Sequence, residues 1–197
     1  MSPRVVLLAV VALLVAGGGV AYWLDADQRA RARAAALDEA EQALAVEDDP
    51  AKALRVATAA LEEHPGDPDL QVVRGRAFAA RGRHGDALEA FEQAEIGLVD
   101  PERLEEVGFF KARARLLRYL DAGDRGDFNV AEGDLEGFTG DLRFGGAAKV
   151  LLGLGLIRKG DARDHERARK LLTEGLAARG VEELVDVDRA RDWLSRL

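Results

Sequence analysis

Chemistry at neutral pH would have to draw on three histidines, His64, His84 and His165, because the chain has no cysteine. Imidazole is the commonest general base and a common metal ligand, so a hydrolytic or metal site would use these positions. Each stands in a turn-forming stretch: His64 before Pro65-Gly66, His84 after Gly82-Arg83, His165 within residues 161–166. None has a His-Glu-x-x-His neighbour or a nucleophile beside it, and all three read as surface residues. Lack of cysteine removes disulfides, thiolate metal ligands, cysteine nucleophiles and a lipid-modified cysteine anchor.

Residues 121–132 place Gly126 and Glu132 at the sixth and twelfth positions of a calcium-loop pattern. Gly123 and Arg125, however, occupy positions that need oxygen ligands, so the pattern is rejected. Asp127 or Asn129 reads better as the cap of a following helix. Arg125-Gly126-Asp127 matches an integrin-type tripeptide, a length that chance supplies often. Lys111, Arg115 and Arg118 share one helix face with Arg113 nearby. That stripe reads as a solvated face or, more sharply, as a dock for an acidic partner segment. The expectation is therefore no catalytic residues, no metal and no cofactor, with an enzyme site in the irregular stretch 121–143 as the minor alternative.

Such residues would be carried by helices. The apolar side chains are mostly Ala and Leu, with few Val-Ile-Thr alternations and no Asn-Gly hairpin signal, so an all-α domain with almost no sheet is predicted. The formal charge is −8, and −9 once Arg4 is set aside. An acidic surface repels phosphate backbones, which disfavours a nucleic acid partner and serves solubility.

Residues 5–24 form a run of 20 residues without a charge, about the length of a membrane-spanning helix. Residues 1–4 form a short head, and Tyr22 and Trp23 suit the far interface. A cleaved secretory signal with Gly19-Val20-Ala21 as its cleavage site is the competing reading. The length of the run favours a single-pass signal anchor. Arg4 on one side and Arg29, Arg31 and Arg33 on the other leave the orientation open, with an extracytoplasmic domain preferred. Small residues at Ala12, Ala16, Gly17 and Ala21 are compatible with membrane pairing, although small residues are also simply tolerated in lipid.

Within residues 25–197, Ala53, Ala57 and Ala60 recur 34 residues later as Ala87, Phe91 and Ala94. Residues 75–94, GRAFAARGRHGDALEAFEQA, resemble the tetratricopeptide repeat closely. Gly75 admits the second helix, Phe78 fills the space between the two, Gly82 ends the first helix, and Ala87, Phe91 and Ala94 form the facing stripe. Arg74 departs from the usual apolar residue, and Pro101 falls two residues late. A later unit resembles the same motif, with Leu152, Gly153, Leu156 and Gly160 in its first helix and Ala168, Leu172 and Gly175 in its second. Its longer turn is similar to Sel1-like repeats.

The resemblance implies a helical-hairpin solenoid with repeats at about 34–67, 68–101, 102–142 and 145–180 and a capping helix at 187–197, in which Trp193 and Leu194 face inward. The third repeat is the weakest. A strong helix from 102 to 120 closed by Gly123 is followed by a partner that Gly133, Gly137 and Gly140 should distort or leave partly loop-like.

In such arrays the first helix of each unit lines a concave groove. The resemblance carries that role onto Val72, Arg76 and Ala79, and by shifts along the array onto Asp38, Gln42 and Ala45, and onto Val150, Leu154 and Ile157. Of the Lys, Asn and Arg residues that one subclass uses for peptide C-termini, only Arg76 fits. The expected function is a membrane-anchored scaffold that captures a protein segment, with Leu154 and Ile157 as apolar anchors and Arg76 reading a polar group. The alternatives are an integral structural subunit of a larger membrane complex and a secreted soluble repeat protein. On sequence grounds, Leu154→Asp is expected to abolish partner capture in a pull-down and to leave helicity, read by circular dichroism, intact.

Overall fold

The computed structural model describes residues 25–197. Residues 1–24 lie outside it, and with them the proposed membrane span. Nine α-helices stand among the described residues: α1 over residues 25–45, α2 Pro50–Glu63, α3 Pro68–Ala80, α4 His84–Gly97, α5 Pro101–Ala122, α6 Arg125–Phe138, α7 Gly145–Lys159, α8 His165–Leu176 and α9 Val187–Ser195. None of the described helices is long and apolar enough to cross a membrane.

Local chemistry sets the boundaries. Pro50, Pro68 and Pro101 each open a helix, where a missing N–H costs nothing. The carboxylates of Asp49, Asp67 and Asp100 accept backbone N–H groups of the first turns they precede. Asp124, rather than the expected Asp127 or Asn129, caps α6 by accepting from the Gly126 N–H at 2.8 Å. Gly82 and Gly160 follow α3 and α7 with φ of +71° and +77°, a left-handed turn that suits glycine.

The helices pack sequentially in consecutive pairs, α3 on α4, α5 on α6 and α7 on α8, with α9 against α7 and α8. The architecture is an all-α array consistent with helical hairpins. Close approach within two pairs depends on glycine. A Cβ on Gly75 of α3 would stand 2.5 Å from the Phe91 ring of α4, and one on Gly153 of α7 would stand 2.7 Å from Leu172 of α8. Phe91, rather than Phe78, fills the α3–α4 interface: it is fully buried, whereas Phe78 is half-buried with Arg83 above its ring. A single-turn 3₁₀ helix, Ala162–Asp164, lengthens the α7–α8 turn.

The third pair departs from expectation. α6 is a continuous helix through Gly133 and Gly137, because burial of Phe128, Ala131 and Leu135 against its neighbours outweighs the weak propensity of two exposed glycines. The densest aromatic cluster lies here: Phe109 stacks on Phe144 at 4.4 Å between centroids and meets Phe138 edge-on at 5.6 Å.

A ladder of charge binds successive units at one edge. Arg33 of α1 pairs with Asp67 and, at 2.8 Å, with Asp69, and Arg103 of α5 reaches Asp69 from the other side at 3.3 Å. At the far end Trp193 and Leu194 pack against the main core, so α9 covers apolar surface that a terminal pair would otherwise expose.

Two substitutions with opposite sign test this packing. Gly75→Ala should destabilise by about 1–3 kcal/mol through the Phe91 clash. Gly137→Ala, which meets nothing within 4 Å, should stabilise by about 0.5–1 kcal/mol. Urea-unfolding midpoints of the two variants check both.

Candidate functional site

First helices α3, α5 and α7 neighbour one another, whereas α4, α6 and α8 form no comparable packing among themselves. The inner face of the array is therefore the one made by α3, α5 and α7. Toward the C-terminal ends of α3 and α5 that face opens into a cleft of 360 Å³, closed on one side by Val185, Asp186 and Arg189 of the C-terminal segment. Ala79 of α3, Leu117 of α5 and Leu151 and Leu154 of α7 give its apolar walls. Arg113 and His84 also line it.

Expected groove residues are distributed unevenly. Ala79 and Leu154 meet in the cleft. Arg76 is half-buried with its guanidinium 5.5 Å from the Phe110 ring. Ile157 is half-buried against the core, whereas Val72 and Val150 are 1% and 0% exposed and present no surface to a ligand. Asp38 and Gln42 are exposed on α1 and do not line the cleft. Leu154 is only 3% exposed, so an aspartate there would be an unpaired buried charge. Leu154→Asp therefore tests folding before it tests binding, which corrects the expectation from sequence.

The basic stripe on α5 does not present free charge. Lys111 Nζ bonds Glu95 at 2.7 Å, Arg115 bonds Asp134 at 3.0 Å, and Arg118 Nε donates to Asp127 at 2.6 Å with a second, shorter contact from the same guanidinium. These pairs tie α5 to α4 and α6. Asp127 is buried in its pair, so the Arg125-Gly126-Asp127 tripeptide is helical and its carboxylate is not displayed.

Arg113, two residues from both Lys111 and Arg115, turns toward the opposite face of α5 and into the cleft. Among the described residues it has no carboxylate within salt-bridge distance, alone of the five basic residues on that helix. Burial, and secondarily Arg76, push its pKa down. A half-buried cation without a counter-ion marks a site that favours an incoming anion.

His84 corrects the surface reading of the histidines. It is 9% exposed, with Nε2 3.3 Å from Asp121 Oδ2 and a buried Nδ1 that has no partner. His64 is half-buried and His165 exposed. A turn signal in sequence reports backbone path and not which way an imidazole faces, so His84 was legible only through its neighbours. Among the described residues no group of three His, Cys, Asp or Glu is placed to hold a metal ion.

Burial lowers the His84 pKa, Arg113 and Arg118 add to that, and Asp121 opposes it. The unfolded chain then takes up the proton more readily, so stability present above about pH 6.5 is lost as pH falls toward the folded value. Urea-unfolding midpoints should fall between about pH 7.5 and pH 5.5, and His84→Asn should flatten that dependence. Arg118→Ala should cost about 1–3 kcal/mol in the same assay by leaving Asp127 buried and unpaired. Comparison with protein-family profiles, characterised proteins and solved structures finds no match; the described residues form an all-helical array of consecutive helix pairs with no identified family.

Proposed function

We propose that this protein is a non-enzymatic, membrane-anchored scaffold of tetratricopeptide-like hairpins that captures a segment of a partner protein on its inner face. The observation that carries the reading is the cleft between α3, α5 and α7, which sets the apolar Ala79, Leu117, Leu151 and Leu154 beside Arg113, a cation with no carboxylate within salt-bridge distance among the described residues. Apolar walls with a few convergent polar groups suit recognition of a peptide segment. The uncharged run at residues 5–24 supplies the anchor in this reading, and an extracytoplasmic domain is the preferred orientation.

A permanently assembled membrane subunit is the second reading. It is favoured by Ile96 at the end of α4, Val99 in the α4–α5 connection and Leu142 in the α6–α7 connection, which are 80%, 91% and 102% exposed.

Capture from detergent-solubilised native membranes, followed by mass spectrometry, separates the two. Ala79→Trp, which fills the cleft from a half-buried wall position, should lose the partner set of the full-length chain, and residues 25–197 alone should retain it. Unchanged capture by Ala79→Trp overturns the scaffold reading. Loss of capture on removing residues 1–24 transfers the role to the permanent-subunit reading.

A further inference from the structure

We infer that the cleft binds the side-chain carboxylate of an acidic residue flanked by apolar residues on a partner segment, with Arg113 as the group that pairs with it. The inference rests on the reading of the inner face as a capture surface and names the chemistry it recognises.

Arg113 is kept charged by its intrinsic basicity although its surroundings disfavour charge, and Arg189, which also lines the cleft and has no carboxylate within salt-bridge distance among the described residues, offsets the cleft's two carboxylates with it. Asp121 lies against His84 Nε2, and Asp186 Oδ1 accepts the Arg189 backbone N–H at 2.9 Å as the cap of α9. Arg76 raises the positive potential at Arg113 further, since its guanidinium rests over the Phe110 ring and, among the described residues, pairs with no carboxylate. His84 also lines the cleft, with its Nε2 turned to Asp121, so its ring reports on what enters.

Placement selects the kind of carboxylate. Arg113 stands on α5, between the alanines of α3 on one side and Leu151, Leu154 and Val185 on the other. A ligand whose charge meets Arg113 can cover both apolar walls only if chain continues on either side of the charge. An internal Asp or Glu does this. A C-terminal carboxylate leaves one wall bare. Guanidinium to carboxylate pairing in a partly dry cleft is also the stronger form of hydrogen bond.

Three acetylated tripeptides test the assignment on the full-length chain in non-ionic detergent, two with amidated and one with a free C-terminus, with the Arg113 Nε–H and His84 ring signals followed by NMR. Acetyl-Leu-Glu-Leu-amide should shift both signals saturably. Acetyl-Leu-Gln-Leu-amide, without the charge, should bind at least about tenfold more weakly. Arg113→Gln should lose binding of the glutamate peptide and Arg113→Lys should recover part of it, with unchanged far-ultraviolet circular dichroism in both. Equal binding of the glutamate and glutamine peptides, or no saturable shift with either, overturns the inference. Tighter binding of acetyl-Leu-Gln-Leu with a free C-terminus overturns the choice of an internal carboxylate. Partner capture by the native chain that survives Arg113→Gln and fails with Ala79→Trp removes the carboxylate site and leaves the scaffold intact. Glutamate-peptide binding without any partner loss in Ala79→Trp does the reverse.

Discussion

The array depends on how closely the two helices of a pair can approach. Gly75 accepts the Phe91 ring, and Gly153 accepts the Leu172 side chain, at distances that no side chain on the glycine would permit. At the α7–α8 interface the same device operates twice, since a Cβ on Gly175 would stand 2.7 Å from the Gly146 carbonyl oxygen. Close approach converts two amphipathic helices into one buried seam, and the seam places each first helix beside the next. Without it the inner face would have no fixed spacing, because interiors are close-packed and transmit displacement rather than absorb it.

Helix α5 is the element that turns this spacing into a site. It packs on α4, α6 and α7, and it carries Phe109 and Phe110 into the aromatic cluster. Its Lys111, Arg115 and Arg118 are spent on ion pairs to α4 and α6, with Asp127 desolvated in one of them. Those pairs hold α5 in rotation about its axis. The rotation leaves Arg113 pointing at the inner face, where no carboxylate among the described residues meets it. The same helix therefore uses opposite-charge pairing for register on one side and leaves a charge unneutralised on the other.

The charge ladder at one edge extends register along the array. Asp69 sits between Arg33 and Arg103, each 34 or 36 residues away in sequence, so one carboxylate couples the first, third and fifth helices. Partly exposed pairs of this kind add little energy, but a shared carboxylate penalises a slipped stacking of units. At the other end α9 packs on α7 and α8, and its Arg189, with Val185 and Asp186 just ahead of the helix, closes one side of the cleft. The capping segment thus protects the last pair and bounds the inner face.

Helix identity, helix ends and the 34-residue spacing were legible in the sequence because they follow from local chemistry. Proline and aspartate at helix starts, glycine at left-handed ends, and alanine or phenylalanine every three or four residues act over one or two turns. The third pair was misjudged for the same reason: glycine propensity is local, and the burial of Phe128 and Leu135 that overrides it is not. The site was less legible. Val72 and Val150 shared a helix face with Ala79 and Leu154 in sequence, yet packing buried both valines away from any ligand, left Ala79 half-buried on the cleft wall, and gave Leu154 only a sliver of surface there. Whether Lys111 and Arg115 would be neutralised depended on carboxylates 16 and 19 residues away on other helices. Only the tertiary structure brings those together, because charge pairing and burial are decided by neighbours in space, whereas helical periodicity is decided by neighbours in the chain.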